Sequence, residues 1–134
     1  MNESVHAADV VRRYYDALRD GEPLEPFFRR SESTVKFGIT EALFGYDDVA
    51  TALRKQTETT TDWRVESHTL SVDERETFAT YADEVTMAWI DTERDQEYEF
   101  DSRWSGTLVA TEGDRDDGIP WAFATMHVSA PPER

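Results

Sequence analysis

The residues with the clearest capacity for chemistry lie in the last apolar segment of the chain, residues 121–129. Alternation places Thr125 and His127 on one face together with Phe123. Neither face looks solvated, so the pattern predicts a strand covered on both sides. An imidazole in a partly apolar cavity could act as a general base near neutral pH. It could equally be a buried histidine that bonds a backbone carbonyl or Ser129.

Two further side chains could act beside this histidine. Arg103 offers a planar guanidinium to a carboxylate or an enolate oxygen, or it pairs with Asp101 or Glu99 on its own strand. Tyr14 could donate a hydrogen bond to a ligand oxygen, or it packs in the core with its hydroxyl at the rim. The catalytic candidates are therefore His127, Tyr14 and Arg103, and the candidate ligand-binding residues are Phe37, Asp101 and Thr125.

The elements that position these residues begin with a helical first half. Apolar side chains recur at three- and four-residue steps until Gly21, which is placed to end the helix. A short helical turn between Pro23 and Pro26 and a strand at residues 35–39 follow. A second helix is predicted to begin near Asp47 and to fray in the threonine-rich residues 57–61.

The second half alternates as strands over residues 63–72, 78–90, 98–109 and 121–129, with a turn at residues 112–118. In the third of these strands Tyr98, Phe100 and Trp104 share one face, and Arg103 lies on the other. Helices followed by an antiparallel meander predict an α+β fold in one domain, residues 1–134, with the helices on one side of a curved sheet. We interpret Trp63, Trp89 and Trp104 as core or dimer contacts.

Composition restricts the partners. The formal charge is −15, from 29 acids against 14 bases, and only two of the bases are lysines, Lys36 and Lys55. Such a surface repels nucleic acid and anionic membranes and is typical of a protein from concentrated salt. There is no cysteine, no His/Asp/Glu spacing of a metal site and no apolar segment long enough to span a membrane. We expect a soluble, cytoplasmic protein without metal or cofactor.

Three segments resemble the SnoaL-like branch of the superfamily that contains ketosteroid isomerase and nuclear transport factor 2. Residues 10–21 are similar to the first helix of those proteins, and residues 35–38 with 43–53 to the first strand and third helix. Trp121, His127 and Ser129 resemble the closing strand of SnoaL-like domains and of the kinase association domain. The resemblance implies a cone-shaped sheet with helices packed on its concave face, an apolar cavity, and a homodimer formed through the outer sheet face.

The resemblance also gives expectations for single residues. Tyr14 falls where ketosteroid isomerase has its oxyanion-hole tyrosine, whereas the positions of its base and of its second donor fall near Phe37 and Arg103. Phe37 cannot take a proton, and both the base and the acidic donor are thus replaced, so steroid isomerisation is not expected. Asp101 and Arg103 match only part of the Asp-Arg-Asp set of limonene epoxide hydrolases, because the closing strand offers Thr125 and His127 instead of an acid.

Three functions remain open at this point. The first is a homodimeric protein that binds a small apolar or carboxylate-bearing ligand in its cavity. The second is an isomerase, cyclase or dehydratase that uses His127 as base, with Tyr14 or Arg103 holding the oxyanion. The third is an association module whose cavity is filled, which Phe37 favours by its size.

Overall fold

The structure, a computed structural model, describes residues 5–111 and 119–132. Within them the chain forms two α-helices, one short 3₁₀ turn and a seven-stranded sheet. This confirms the α+β prediction. The predicted turn at residues 112–118 lies outside the described residues.

Helix α1 (Ala7–Asp20) buries the predicted apolar stripe. Its first N–H group, on Ala7, donates to the carboxylate of Glu74 over 2.7 Å, which satisfies an end that the helix itself leaves unpaired. It ends at Gly21, whose φ of 70° is left-handed and suits glycine. Both ends therefore have a local cause, and the prediction of this helix is confirmed.

The connection to the second helix is compact. It contains the 3₁₀ turn (Glu25–Phe27) and two three-residue strands, β1 (Val35–Phe37) and β2 (Ala42–Phe44). Helix α2 (Tyr46–Thr59) ends within the predicted residues 57–61, but it runs directly into β3 and its last turn is not frayed. The hydroxyls of Thr57 and Thr59 donate to the carbonyls of Leu53 and Lys55, four residues earlier, which keeps the last turn closed.

The remaining strands are β3 (Thr60–Ser67), β4 (Ser71–Glu74), β5 (Phe78–Asp91), β6 (Gln96–Ala110) and β7 (Trp121–Ser129). The sheet order is β2-β1-β7-β6-β5-β3, and β4 pairs with β5 beside β3. The strand predicted over residues 63–72 is thus two strands on one edge of β5. All pairs are antiparallel except β1 with β7, which are parallel.

The core lies between the helices and the concave face of the sheet. On that face the ring of Tyr14 from α1 lies 6.1 Å from Trp104 of β6 and 5.4 Å from Phe123 of β7, both in edge-on geometry. Tyr15 meets Trp104 in the same way at 5.4 Å. These contacts fix α1 against the two central strands.

A β-bulge in β7 controls which residues face that core. Thr107 of β6 pairs with Thr125, but the next residue, Leu108, pairs with Phe123, so Ala124 is the extra residue. Beside it, a Cβ on Gly106 would overlap the carbonyl oxygen of Thr125. The backbones approach this closely only because position 106 has no side chain.

We therefore expect Gly106→Ala to destabilise the fold by about 1–3 kcal/mol, because the added methyl must push β7 away. Urea unfolding at constant salt measures the change. Ser105→Ala, at the adjacent exposed position, is the control and should leave the midpoint nearly unchanged. Equal stability of Gly106→Ala and the wild type would contradict the close approach.

Candidate functional site

A cavity of about 610 Å³ opens between the two helices and the concave face of the sheet. Its closed end is formed by the buried side chains of Tyr14, Lys36 and Trp104. Its mouth is bounded by exposed residues of α2 and of the β5–β6 turn, among them Lys55 and Arg94. The expectation of a filled cavity is therefore not met by this geometry.

One wall of the cavity consists of aromatic rings that stack on one another. The indoles of Trp63 and Trp89 lie 4.7 Å apart and are nearly parallel, at 15°. Tyr98 and Phe100 each continue the stack from Trp89, at 5.5 and 5.6 Å. All four line the cavity and are only half buried. Trp63 and Trp89 are thus an accessible stacking surface, whereas Trp104 is the core residue that the sequence predicts.

The closed end of the cavity is held by hydrogen bonds and carries a hydrogen-bond donor, the Tyr14 hydroxyl. The indole N–H of Trp104 donates to Ser102 Oγ over 3.0 Å, and that hydroxyl donates to the carbonyl of Val85. Burial raises the pKa of the Tyr14 hydroxyl far above its ordinary value, and the nearby Glu41 carboxylate raises it further. Tyr14 is therefore a neutral phenol that can donate a hydrogen bond to a ligand but cannot serve as a base.

Two of the three basic side chains that line the cavity form ion pairs, and the third does not within the described residues. Lys36 Nζ lies 2.9 Å from Glu41 Oε2, with the lysine side chain 7% exposed and the glutamate 36%. At the mouth, Arg94 pairs with Asp91 over 2.7 Å. Lys55 has no ion-pair partner within the residues that the structure describes.

Two of the predicted site residues on β7 lie on the opposite face of the sheet. Thr125 and His127 are exposed, whereas Phe123, Met126 and Val128 are buried. The strict alternation that grouped His127 with Phe123 fails because the bulge at Ala124 shifts the pattern by one residue. His127 instead meets the ring of Phe37 edge-on at 5.6 Å on the outer face.

Three more of the predicted site residues lie on the outer face of the sheet, and Tyr14 alone lines the cavity. Arg103 and Asp101 are exposed on the outer face, opposite the aromatic face of β6. Asp101 accepts a hydrogen bond from Thr86 there, and Arg103 forms no ion pair inside the described part of the chain. Phe37 also points outward, since it pairs with His127 across the β1–β7 ladder. Of the six predicted residues, only Tyr14 lines the cavity.

Lys36, the charged residue at the closed end, is not among the site residues that the sequence predicts. It precedes Phe37 on β1 and pairs with Met126, so it faces inward. The available signal was its rarity, because the chain has only two lysines and both line this cavity.

A second buried polar group lies outside the cavity. Asp83 on β5 accepts hydrogen bonds from the Tyr15 hydroxyl (2.9 Å), the Ser67 hydroxyl (2.6 Å) and the Thr69 N–H group (2.9 Å). Burial raises the pKa of Tyr15 far above its usual value, and its hydrogen bond to Asp83 raises it further. The carboxylate is fully engaged and does not line the cavity, so it links α1, β3 and β5.

Two classes of feature are absent from residues 5–111 and 119–132. No group of three or more His, Cys, Asp or Glu side chains is arranged to hold a metal ion. No helix there has both the length and the apolar character needed to cross a membrane.

Solved structures share this fold at low identity. A nuclear transport factor 2-like superfamily protein from Salmonella enterica serovar Typhimurium gives a TM-score of 0.76 at 14% identity, over 93% of this chain and 88% of that one. A Streptomyces avermitilis protein of the same family with a provisional dehydratase name gives 0.77 at 11%, over 94% of each chain. A Thiobacillus denitrificans protein, provisionally named a calcium/calmodulin-dependent kinase II association domain, gives 0.72 at 9%, over 98% and 100%.

These similarities confirm the cone-shaped fold that the resemblance implies: the chain has the nuclear transport factor 2-like fold, shared by SnoaL-like and ketosteroid isomerase-like proteins. No protein-family model matches the sequence, and no curated protein is similar to it.

The Asp83 network should act on stability alone. We expect Asp83→Asn to cost about 1.5–3 kcal/mol, because the amide cannot accept all three bonds, and Tyr15→Phe to cost about 1 kcal/mol. Denaturant unfolding measures both, and Asp73→Asn on the exposed side of β4 is the matched control. Wild-type stability in Asp83→Asn would show that the network does not contribute to the free energy of unfolding.

Proposed function

We propose that this protein binds a small, planar, largely apolar ligand in the cavity described above. The observation that supports the proposal most is the aromatic stack. Side chains that serve only a core are normally covered, yet Trp63, Trp89, Tyr98 and Phe100 leave ring surface facing an open cavity. Stacked rings attract a further planar ring at low entropic cost because they are already ordered.

The closed end of the cavity adds selectivity to this surface. The neutral Tyr14 hydroxyl and the Lys36 ammonium provide hydrogen-bond donors at the buried end, whereas the wall is apolar. A ligand with a ring at one end and an oxygen function at the other fits this division. That description agrees with the apolar or carboxylate-bearing ligand expected from sequence.

Binding is better supported than catalysis by His127. A general base must come within hydrogen-bond reach of the proton that it takes, and His127 lies on the face of β7 opposite the cavity. Arg103 is on that outer face as well, so the second hypothesis loses two of its three residues. The dehydratase name of one structural neighbour belongs to that protein and carries no residue to this one.

A thermal-shift screen of planar aromatic acids and cyclic ketones tests the proposal. We expect several compounds to raise the melting temperature, because a ligand that binds only the folded state stabilises it. Trp89→Leu or Tyr98→Leu should weaken their binding about three- to tenfold, the equivalent of about 0.5–1.5 kcal/mol for one stacked contact.

Phe78→Leu is the matched control for these variants. Phe78 is an exposed aromatic at the start of β5 and does not line the cavity, so its loss should leave ligand affinity unchanged. A wild-type protein that responds to no compound of the screen, or wild-type affinity in both wall variants, would contradict the proposal.

The outer sheet face supports a second, compatible function, association into a homodimer. Phe37 lies between Phe44 and His127 on this face, at 5.7 and 5.6 Å, and Phe44 is 61% exposed. An apolar cluster of this kind on a sheet face is typical of an interface. The association-domain name of a structural neighbour agrees with this proposal.

Sedimentation analysis tests the dimer. We expect a dimer that strengthens with salt, since a charge of −15 on each copy opposes association until it is screened. Phe44→Asp should give a monomer, whereas Thr51→Asp, which adds the same charge on an exposed position of α2, should not. A wild-type monomer at all salt concentrations, or a dimeric Phe44→Asp, would exclude this interface.

A further inference from the structure

The two lysines of this chain occupy an unusual place for a protein with a formal charge of −15. Both line the same cavity, with Lys36 buried at its closed end and Lys55 exposed at its mouth. Lys36 is almost completely buried, and burying an ammonium is costly unless an anion accompanies it. The partner of Lys36 therefore determines what the closed end of the cavity can hold.

That partner is Glu41, which comes from the short loop between β1 and β2. The loop is closed by the Gly38 N–H group, which donates to the Glu41 carbonyl over 3.0 Å. The side chain of Glu41 then folds back over Gly38 to reach Lys36. A Cβ on Gly38 would lie 2.7 Å from Glu41 Cγ and 2.8 Å from Oε2, so the missing side chain leaves the space that this path needs.

The two partners differ in how firmly they are held. Lys36 is on a strand paired on both sides, whereas Glu41 is on a loop and its side chain is 36% exposed. Rotation of the glutamate would return its carboxylate to water without disturbing the core, provided that another anion takes its place on Lys36. Rotation of the lysine would have to break the packing of the core.

We propose that the Glu41 carboxylate is a displaceable substitute for the carboxylate of an aromatic acid, which exchanges with it on Lys36. The inference rests on the proposed function, because the ring of the acid would lie on the Trp63–Trp89 wall. Lys36 keeps a carboxylate partner before and after the exchange, so no buried charge is left unpaired. Lys55, at the mouth and without an ion pair among the described residues, attracts the incoming anion.

The exchange makes a specific prediction for an acid and its neutral analogue. The probes are 2-naphthoate and 2-naphthamide, with dissociation constants from tryptophan quenching at fixed salt. Glu41→Gln should tighten 2-naphthoate at least fivefold, because the competing carboxylate is gone, and should leave 2-naphthamide within twofold. Gly38→Ala should act in the same direction, because its methyl group pushes the Glu41 side chain off Lys36.

Two further variants complete the design. Lys36→Met should weaken 2-naphthoate at least tenfold and leave the amide nearly unchanged. Glu93→Gln removes another acid that lines the cavity but does not contact Lys36, and it should change neither probe more than twofold. If Lys36→Met does not fold, Glu41→Gln and Gly38→Ala decide the question, since both keep the lysine.

The outcomes separate this inference from the proposal beneath it. If 2-naphthamide binds the wild type but Glu41→Gln leaves 2-naphthoate unchanged or weaker, the exchange is wrong and the ligand cavity stands. If Glu93→Gln tightens 2-naphthoate as much as Glu41→Gln does, the effect is only one of general charge and the exchange is again wrong. If neither probe binds any form of the protein although other compounds of the thermal-shift screen do, the exchange is wrong and the ligand cavity stands. If no compound binds at all, both proposals fail.

Discussion

The close approach of two backbones, β7 over Gly106 of β6, decides which side chains this protein presents to its cavity. The approach accompanies the bulge at Ala124, and the bulge turns Met126 and Val128 inward behind Phe123. Strand β1 pairs in parallel with the part of β7 that follows the bulge. Lys36 therefore faces the cavity like its partner Met126, and Phe37 faces outward like its partner His127. One extra residue thus assigns a lysine to the closed end and an imidazole to the outer face.

The cavity that results differs in charge from the rest of the chain. Its buried end brings the Lys36 ammonium and the neutral Tyr14 phenol together beside apolar rings, with the partly exposed Glu41 carboxylate next to them, so water weakens their interactions less than it does at the surface. Over the whole chain acids outnumber bases about twofold, and salt screens those at the surface. Affinity for the proposed ligand should therefore depend on short-range pairing at the closed end. Only the rate at which a charged ligand approaches should depend on ionic strength.

The sequence alone predicts the helices and strands of this fold better than it predicts which side chains point to which face of the sheet. The period of α1, its end at Gly21 and the bounds of β7 follow from local patterns, and Trp104 and Arg103 lie on opposite faces of β6 as predicted. The bulge is invisible to the same reasoning, because Ala124 fits either face and leaves the alternation apparently intact. The inward direction of Lys36 depends on its pairing with Met126, about ninety positions later in the chain. A pattern read over a few neighbouring residues cannot reveal such a pairing.

Adjacent residues of β1 and of β7 point to opposite faces of the sheet, and this connects proposed ligand binding in the cavity with proposed association on the outer face. Lys36 and Phe37 are consecutive on β1, and Met126 and His127 are consecutive on β7, so each strand contributes to the cavity and to the outer face through adjacent positions. A partner packed on Phe37 and Phe44 would restrain the short edge formed by β1 and β2, and the loop between them carries Glu41. Such a restraint acts on the strand that must stay fixed for pairing with Lys36, while it leaves the side chain of Glu41 free to rotate. The proposed association and the proposed binding are then compatible, since a dimer formed on this face would order the strand that carries Lys36.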